Sequence, residues 1–320
     1  MEIVKCSGIF GLYLCLLFNT KTTDMKFGQV EDPSKIDFTL PKDHPRTKEI
    51  LALNKKGLEN ISIGCAKWNK TDLKGFYPKG TKDELTYYAT QFNSIELNAT
   101  FYGMPTPDQV KTWKEKTPAN FKFFPKITNT VSHFRRLIDV TDPVTHFASA
   151  VINFDEKLGM AFLQLHDNFK PKDYDRLEKF VKEWPKEVPL AIELRNTEWF
   201  TDEEILNTTC ELFEAHNITN IIVDTAGRRD MLHMRLTTPN AFIRYVGANA
   251  ESDYERLDDW LKHLTKWKKE GLQNLYFFVH QNIEKASPLL SAYFIRKVNE
   301  EWGTNIHIPQ MATESTGTLF

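Results

Sequence analysis

Cysteine is scarce in this sequence. Four cysteines occur in 320 residues, no two of them are spaced as CxxC, and only Cys65 and Cys210 lie beyond the first 24 residues. Disulfide frameworks and cysteine zinc sites both require several cysteines at short, regular spacing. The sequence therefore indicates neither class, and Cys210, on the apolar side of a predicted helix, is expected in the core.

An excess of charge of one sign is also missing. The chain carries 41 Lys and Arg against 43 Asp and Glu, a formal net charge of −2. Proteins that hold nucleic acid through their overall field carry a basic excess, so nucleic acid would need a local basic cleft here. The expected partner is a small anionic ligand, and the sequence carries no signal for an oligomeric state.

Glycine-rich nucleotide loops are absent as well. Neither GxGxxG nor GxxxxGK[ST] occurs among the 14 glycines. In such loops, backbone N–H groups bind the phosphates of NAD or ATP. No cofactor is therefore indicated, and a divalent metal stays open as an alternative.

No apolar run is long enough to cross a bilayer. Residues 9–18 form an apolar run behind a weakly basic start, in the manner of a secretory signal, but no small-x-small cleavage site follows. Residues 1–24 are thus a leader-like extension, either signal-like or upstream of a start at Met25. We expect no membrane span and a cytoplasmic protein.

Short apolar segments alternate with helix-like segments through most of the chain. The predicted strands are residues 61–65, 94–98, 122–126, 160–164, 190–194, 220–224, 242–246 and 275–279. Capping boxes such as Thr106 with Gln109 and Thr201 with Glu204 mark helix starts between them. Strict alternation favours a parallel sheet, and eight units favour an α/β fold of the (β/α)8 TIM-barrel type over a doubly wound sheet.

The sequence predicts four segments in the chain. Residues 1–24 are the extension, 25–60 an irregular N-terminal lead-in, 61–309 the barrel and 310–320 a flexible tail. The lead-in is rich in Pro, Lys and Asp, and the tail is polar with few bulky residues.

Nearly every predicted strand ends in a polar or charged side chain. These residues are Glu96, Asn98, Lys126, Gln164, Glu193, Arg195, Asp224, Arg244 and, after the last strand, His280, Gln281 and Asn282. Strand C-termini form the active face of such barrels. Buried ion pairs that only neutralise one another would give the same pattern, so a structural role stays open beside the functional one.

Several segments together resemble one family. They are GCAKW (64–68), FNSIELNATFY (92–102), IELRNTEWF (192–200) and FIRYVG (242–247), with Lys126, Ser132-His133, Gln164 and Asp224 between them. In this order they are similar to the YecE-like family, catalogued as domain of unknown function 72. The resemblance runs from about Ile61 to Val298, implies a TIM barrel and supplies no settled reaction.

The resemblance also marks a set of motif residues. They are Glu96, Asn98, Tyr102, Lys126, His133, Gln164, Glu193, Arg195, Trp199, Asp224, Arg244 and Asn282. The chain departs from the family pattern at three places: Lys67 stands where a Gly usually precedes Trp68, His166 replaces a proline, and Tyr245-Val246-Gly247 replaces a His-Gly pair.

Three cations are expected at one rim, Lys126, Arg195 and Arg244, with His133 close by. Arginine makes bidentate contacts with carboxylate or phosphate, which predicts an anion pocket there. We expect general acid–base chemistry from Glu96, Glu193, Asp224, Lys126 and His133, in a hydrolase or lyase. The residues expected to bind substrate are Asn98, Tyr102, Gln164, Arg195, Trp199, Arg244, Asn282 and Trp68.

Other mechanisms remain open at this point. Glu96, Glu193, Asp224 and His133 could hold a divalent metal in an endonuclease- or isomerase-like barrel, although cations stand among these ligands. Glu96 and Glu193 could be a glycosidase pair, and Lys126 could form a Schiff base. A non-catalytic barrel that binds a ligand or nucleic acid is the remaining alternative.

Overall fold

The computed structural model describes residues 28–312. The leader-like extension, the first residues of the lead-in and most of the expected tail lie outside the described residues. Residues 28–312 contain eight β-strands and ten α-helices.

Eight strands lie in the order that the sequence predicts. They are β1 (Asn60–Cys65), β2 (Ser94–Leu97), β3 (Lys122–Pro125), β4 (Ala161–Gln164), β5 (Leu190–Glu193), β6 (Thr219–Thr225), β7 (Asn240–Gly247) and β8 (Asn274–Gln281). Each agrees with its predicted range within two residues at either end. The predicted strands are confirmed.

Helices separate the strands. They are α1 (Pro45–Leu51), α2 (Glu84–Gln91), α3 (Ala99–Tyr102), α4 (Pro107–Glu115), α5 (Thr141–Val151), α6 (Tyr174–Glu183), α7 (Glu198–Thr201), α8 (Glu203–Ala215), α9 (Ser252–Glu270) and α10 (Ser287–Trp302). Thr106 caps α4 by accepting from the backbone N–H of Gln109, as predicted. At α8 the cap is Asp202, which accepts from the N–H of Glu204, and not the predicted Thr201.

All strand pairs are parallel, and the sheet curls. Hydrogen bonding joins six strands in the order β1-β8-β7-β6-β5-β4, and β2 pairs with β3 separately. The predicted alternating, parallel α/β architecture is confirmed, whereas the single eight-stranded sheet is divided into six strands and two.

Other contacts join the strand pair β2–β3 to the six-stranded sheet. At one side, the Asn93 side chain accepts from the N–H of Ile63 (3.0 Å) and donates to the carbonyl of Ile61 (2.8 Å). At the other, the N–H of Ile127 donates to the carbonyl of Phe162 (2.8 Å). A side chain thus takes the place of strand pairing between β1 and β2.

The sheet encloses an apolar layer of its own, separate from the larger core under the helices. This inner layer consists of Phe124, Met160, Phe162, Ala191, Ile221, Val223, Phe242 and Phe278. Because strand side chains alternate between faces, residues two positions further along the same strands point inward too. The inner layer therefore forms an apolar floor directly beneath the side chains at those positions.

A segment that we call the N-terminal strap, residues 28–44, crosses the C-terminal side of β6 and reaches α9. At its start, the Gly28 carbonyl accepts from the Thr225 hydroxyl (3.1 Å). Near its end, Asp43 bonds to the His263 ring (2.7 Å). The N-terminal strap is therefore fixed at both of its ends.

Within residues 28–312, no helix combines the length and apolar character needed to cross a bilayer.

Candidate functional site

Polar side chains lie directly above the inner apolar layer. They are Glu96 of β2, Lys126 after β3, Gln164 of β4, Glu193 of β5, Arg244 of β7 and His280 of β8, which we call the polar cluster. Five of them stand two residues beyond a member of the inner layer, as in Phe124 and Lys126 or Phe162 and Gln164. Strand alternation therefore turns these residues inward at the C-terminal rim.

Arg244 holds two buried carboxylates together. Its Nε and Nη2 donate to the two carboxylate oxygens of Glu96, both at 2.8 Å, and its Nη1 donates to Glu193 at 2.5 Å. The planar guanidinium matches carboxylate geometry in this bidentate arrangement. Both glutamates are fully buried and depend on this partner for their charge.

Both glutamates are held ionised. Burial alone would raise the pKa of Glu96, but the charges of Arg244 and His280 outweigh it and hold the pKa well below its usual range. For Glu193 the same opposition between burial and the charges of Arg244 and Arg195 lowers the pKa to about 2. Near neutral pH these carboxylates orient cations and are weak proton acceptors.

A chain of hydrogen bonds leads from Glu193 to Lys126. Glu193 accepts from Arg195 Nε (2.8 Å) and Gln164 Nε2 (2.9 Å), and the Gln164 carbonyl oxygen accepts from Lys126 Nζ (2.8 Å). The glutamine amide therefore separates the lysine from the nearest carboxylate. The structure thus brings four of the predicted site residues into one network.

Lys126 is a buried amine. Burial, followed by the positive charges of Arg244 and Arg195, lowers its pKa to about 7. Its Nζ lies 4.1 Å from the centre of the Phe101 ring. A substantial fraction of this amine is neutral near pH 7, which suits it to proton transfer or nucleophilic attack.

The sequence places His280 among the polar residues after the last strand without indicating a role in binding or catalysis, and the structure places it in the polar cluster. Its Nε2 lies 3.0 Å from Glu96 Oε2 and 3.3 Å from Arg244 Nη2. The signal that could have found it is its spacing, two residues beyond Phe278 of the inner layer. Asn98, which was predicted, donates to Glu96 at 2.8 Å.

His133 lies on the π-helical turn Thr130–Phe134, beside the polar cluster. Burial, followed by the charge of Lys126, lowers its pKa to about 4, so the imidazole is neutral near pH 7. Its Nδ1 lies 2.8 Å from the Ser132 hydroxyl, and its ring packs edge-on against Phe101. A neutral imidazole next to a low-pKa amine can accept or relay a proton.

A cavity of about 690 Å³ opens above the polar cluster. Of its lining side chains within residues 28–312, five are cationic and two are carboxylates. The cationic ones are Lys67, Lys74, Arg195, Arg244 and Lys285, the carboxylates are Asp72 and Glu284, and Gln29, Tyr102, His280 and Asn282 also contribute. Lys67 pairs with Asp72, and the two arginines pair with the buried Glu96 and Glu193, so the positive bias of the lining is smaller than the count of side chains alone indicates.

Two aromatic residues expected to bind substrate lie at this rim. Tyr102 is 76% exposed and reaches both this cavity and a smaller one of about 200 Å³. Trp68 lines the smaller cavity beside Glu96 and Asn98 and packs edge-on against Trp113. A ligand in the smaller cavity could contact both residues, and a ligand in the larger cavity could contact Tyr102.

Two predicted site residues are not brought to the polar cluster. Asp224 lies on the outer face of β6, where it is fully buried and accepts from Trp260 Nε1 (2.7 Å) and pairs with Arg256 (2.9 Å) and Arg229. The reason is register, because Val223, one residue earlier, occupies the inward position. Asp224 anchors α9 and has no place in the candidate chemistry.

Trp199 is likewise structural. It is fully buried, stacks on Phe169 and donates its Nε1 proton to the Phe169 carbonyl (2.9 Å). Its indole is satisfied by these contacts, so the prediction that it binds substrate does not fit its position.

The side chains do not fit the metal alternative. Arg244 occupies oxygens of both Glu96 and Glu193, and Asp224 faces away. Within residues 28–312, no three His, Cys, Asp or Glu side chains are grouped so as to ligate one ion.

Cys65 and Cys210 are both buried and free, and burial raises the pKa of Cys210 to about 12.

Sequence comparison decides the family. Residues 62–313 match the model described as "Protein of unknown function DUF72". The chain belongs to the DUF72 family. The resemblance drawn from the motifs is confirmed, and the matched range contains every residue of the polar cluster but not the N-terminal strap.

Related DUF72 proteins are similar over most of the chain. The UPF0759 protein YecE of Escherichia coli strain K12 is 28% identical over 278 residues, covering 79% of this chain and 99% of that protein. The UPF0759 protein YunF of Bacillus subtilis strain 168 is 23% identical, covering 66% and 85%.

Crystal structures of two DUF72 proteins share the fold. The protein from Thermotoga maritima is 25% identical with a TM-score of 0.63, covering 75% of this chain and all of that chain. The protein from Enterococcus faecalis has the same TM-score at 19% identity, covering 75% and 95%.

Proposed function

We propose that this chain is an enzyme that binds a small anionic substrate, a phosphate or carboxylate compound, in the cavity above the polar cluster. The observation that carries the proposal is the excess of cations around that cavity, with five cationic side chains against two carboxylates. A hydrolase or lyase is the reaction class that such a pocket suits.

The proposal also includes three statements about the chain as a whole: the eight strands close as a (β/α)8 barrel, the barrel domain comprises residues 61–309, and the protein is cytoplasmic.

The cations divide into two groups. Arg244 is held by Glu96 and Glu193, so it fixes the floor of the cavity more than it offers hydrogen bonds to a ligand. Arg195 uses Nε toward Glu193, and its side chain is 18% exposed at the cavity. We assign ligand contact to Arg195 and to the lysines of the wall.

Proton transfer falls to Lys126 and His133. Efficient acid–base groups have a pKa close to the working pH, and the pKa of Lys126 is lowered to about 7. Glu193, with its pKa near 2, is too weak a base for this work. The carboxylates instead hold Arg244 and Arg195 in position.

Thermal shift and calorimetry test the anion pocket. The full chain is titrated with inorganic phosphate, glucose 6-phosphate and citrate, beside Arg195→Ala and the surface control Arg176→Ala, which removes an exposed pair with Asp173. A ligand at about 100 times its dissociation constant stabilises by about 2.7 kcal/mol. We expect the shift in wild type and control and its loss in Arg195→Ala. Equal shifts in all three proteins, or none in wild type, would contradict the proposal.

The non-catalytic alternative differs in one outcome. A binding protein returns every bound compound unchanged, whereas an enzyme converts at least one of them. Incubation of each compound that gives a shift, followed by mass spectrometry of the mixture, separates the two.

A further inference from the structure

Lys126 differs from the other cations of the site in its partners. Arg244 pairs with both Glu96 and Glu193, and Arg195 pairs with Glu193. Lys126 is buried, forms no ion pair within residues 28–312, and donates to a neutral amide oxygen of Gln164. The nearby carboxylates pair with the arginines, so no carboxylate among the described residues contacts the amine directly; the charges of Glu193 and Glu96 only partly oppose the lowering of its pKa.

A second buried lysine shows that burial alone does not produce this arrangement. Lys157 donates to the backbone carbonyls of Lys114 (2.7 Å) and Thr117 (2.6 Å) on the outside of the sheet. Carbonyl oxygens in that position stabilise an ammonium and tie two segments together. Lys157 is therefore structural, and it serves as a matched comparison for Lys126.

We propose that Lys126 is a nucleophile that forms an imine with the carbonyl carbon of a substrate carrying a carboxylate or phosphate. The inference deepens the proposed function and rests on it, because the cationic wall of the cavity supplies the anion contact. Arg195 lines that wall and is joined to Lys126 through Glu193 and Gln164. Lys126, which is 7% exposed, is not itself among the side chains of residues 28–312 that line the cavity, so it is this hydrogen-bond network that connects the anion-binding group to the amine.

Imine formation replaces the carbonyl oxygen of the substrate by the amine nitrogen of Lys126. The lone pair of Lys126 Nζ attacks the carbonyl carbon, an N–C bond forms, and the C=O electron pair moves to oxygen. That oxygen leaves as water with one hydrogen from the amine and one proton from solvent, which leaves a protonated imine. The imine withdraws electrons from a bond on the adjacent carbon, so a C–H or C–C bond can break there, and water then regenerates the amine.

Two neighbours suit this step. His133 is half-buried beside the amine and its pKa is lowered to about 4, so its neutral imidazole can relay the protons that the step moves. The Phe101 ring covers one side of Nζ at 4.1 Å, which directs a substrate to the other side. Phe101 also screens the amine from bulk water.

Reductive trapping tests the inference. Pyridoxal 5′-phosphate and pyruvate, each an anionic carbonyl compound, and propanal, a neutral one, are incubated with the full chain at pH 7 and reduced with borohydride. Peptide mass spectrometry then compares adducts on Lys126 and Lys157. We expect at least tenfold more adduct on Lys126 with the anionic probes, and loss of that adduct in Lys126→Arg, whose folding is checked by circular dichroism.

Arg195→Ala separates the two proposals. It keeps the amine, so we expect trapping by propanal to persist while trapping by the anionic probes falls about tenfold. Equal trapping of anionic and neutral probes in wild type would support the nucleophile and contradict the anion pocket. Calorimetric binding of phosphate without any Lys126 adduct, by any probe, would overturn the imine and leave the anion pocket standing.

Discussion

At the scale of single residues, Arg244 is the group on which two buried charges depend. Its guanidinium is the shared partner of Glu96 and Glu193, both fully buried. Removing one partner of a buried ion pair costs about 3–5 kcal/mol, because the remaining charge is left without compensation. We expect Arg244→Met to lower the free energy of unfolding by at least this amount in urea denaturation.

The surface variant Arg176→Ala is the control for Arg244→Met. Arg176 pairs with Asp173 at 3.1 Å, with side chains 41% and 11% exposed, and a partly exposed pair of this kind contributes about 1 kcal/mol or less. Similar losses in the two variants would show that the carboxylates of the polar cluster are not held ionised by Arg244.

The lowered pKa of Lys126 predicts that the contribution of this residue to stability depends on pH. Its folded pKa lies near 7, below the ordinary lysine value, so between pH 7 and about 10 the unfolded chain binds more protons than the folded one. Its contribution to stability therefore rises with pH through this window and is least favourable below pH 7. We expect the free energy of unfolding of wild type, relative to Lys126→Met, to increase by about 2 kcal/mol from pH 7 to pH 9.

Urea denaturation at the two pH values measures this difference. Lys157→Met is the comparison. Burial lowers the pKa of Lys157 as well, but its ammonium donates to two backbone carbonyls, so we expect a smaller rise with pH than for Lys126→Met. A flat difference for Lys126→Met would mean that the amine stays protonated in the folded protein, and the proposed roles of Lys126 would fail with it.

The sequence identifies some site residues at their observed positions and misplaces others. Glu96, Lys126, Gln164, Glu193 and Arg244 were identified because strand alternation and the strand ends fix their direction. Asp224 was misplaced by one position of register, because every residue of β6 is buried and the strand therefore shows no alternation of buried and exposed faces. Trp199 was misplaced because the sequence of a segment after a strand does not show whether an indole there packs in the core or binds a ligand.

At the scale of elements, the N-terminal strap is the segment that sequence reasoning described least. Gln29 lines the cavity, and Asp43 is held by His263, Lys266 and Trp267 of α9. Irregular segments have no periodicity, so their course depends on distant contacts that a single sequence does not reveal. The strands, in contrast, were predicted within two residues because turns and caps mark both of their ends.

Gly28 fixes the start of the strap. Its φ is +80°, and a Cβ there would lie 2.1 Å from the Thr225 hydroxyl oxygen. We expect Gly28→Ala to displace the strap, so that the Gly227 amide, which donates to the Gly28 carbonyl (2.9 Å), exchanges with solvent at least tenfold faster. Hydrogen exchange read by NMR or mass spectrometry gives the rate.

Gly57→Ala is a matched control for this variant. Gly57 has the same φ of +80°, and a Cβ there would meet nothing within 4 Å. It carries the backbone cost of a left-handed alanine without the clash. Faster exchange of Gly227 in both variants would attribute the effect to general destabilisation and not to the strap.

At the scale of the whole molecule, the sheet depends on Asn93 where β1 and β2 meet. Its side chain bonds to the backbone of Ile63 and Ile61 in place of strand pairing. Asn93→Ala leaves a donor and an acceptor without these partners, each worth about 1–3 kcal/mol when buried. We expect a loss of about 2–4 kcal/mol in urea denaturation.

Asn153→Ala provides the contrast. Asn153 donates to Ser149 and Ala150 at an exposed helix end, so its loss should cost about 1 kcal/mol or less. Equal effects would mean that the backbone at the β1–β2 junction finds other partners. The division of the sheet at this place was not predictable, because it arises from one side chain competing with strand pairing.

The aromatic floor beneath the polar cluster affects how fast a ligand arrives. Phe124, Phe162, Phe242 and Phe278 close the sheet below the charges with an apolar layer of low dielectric constant. Field lines from the cationic wall are then directed outward through the mouth, which concentrates counter-ions there. Association rate constants for an anion should therefore fall steeply with ionic strength, while its dissociation rate constant changes little.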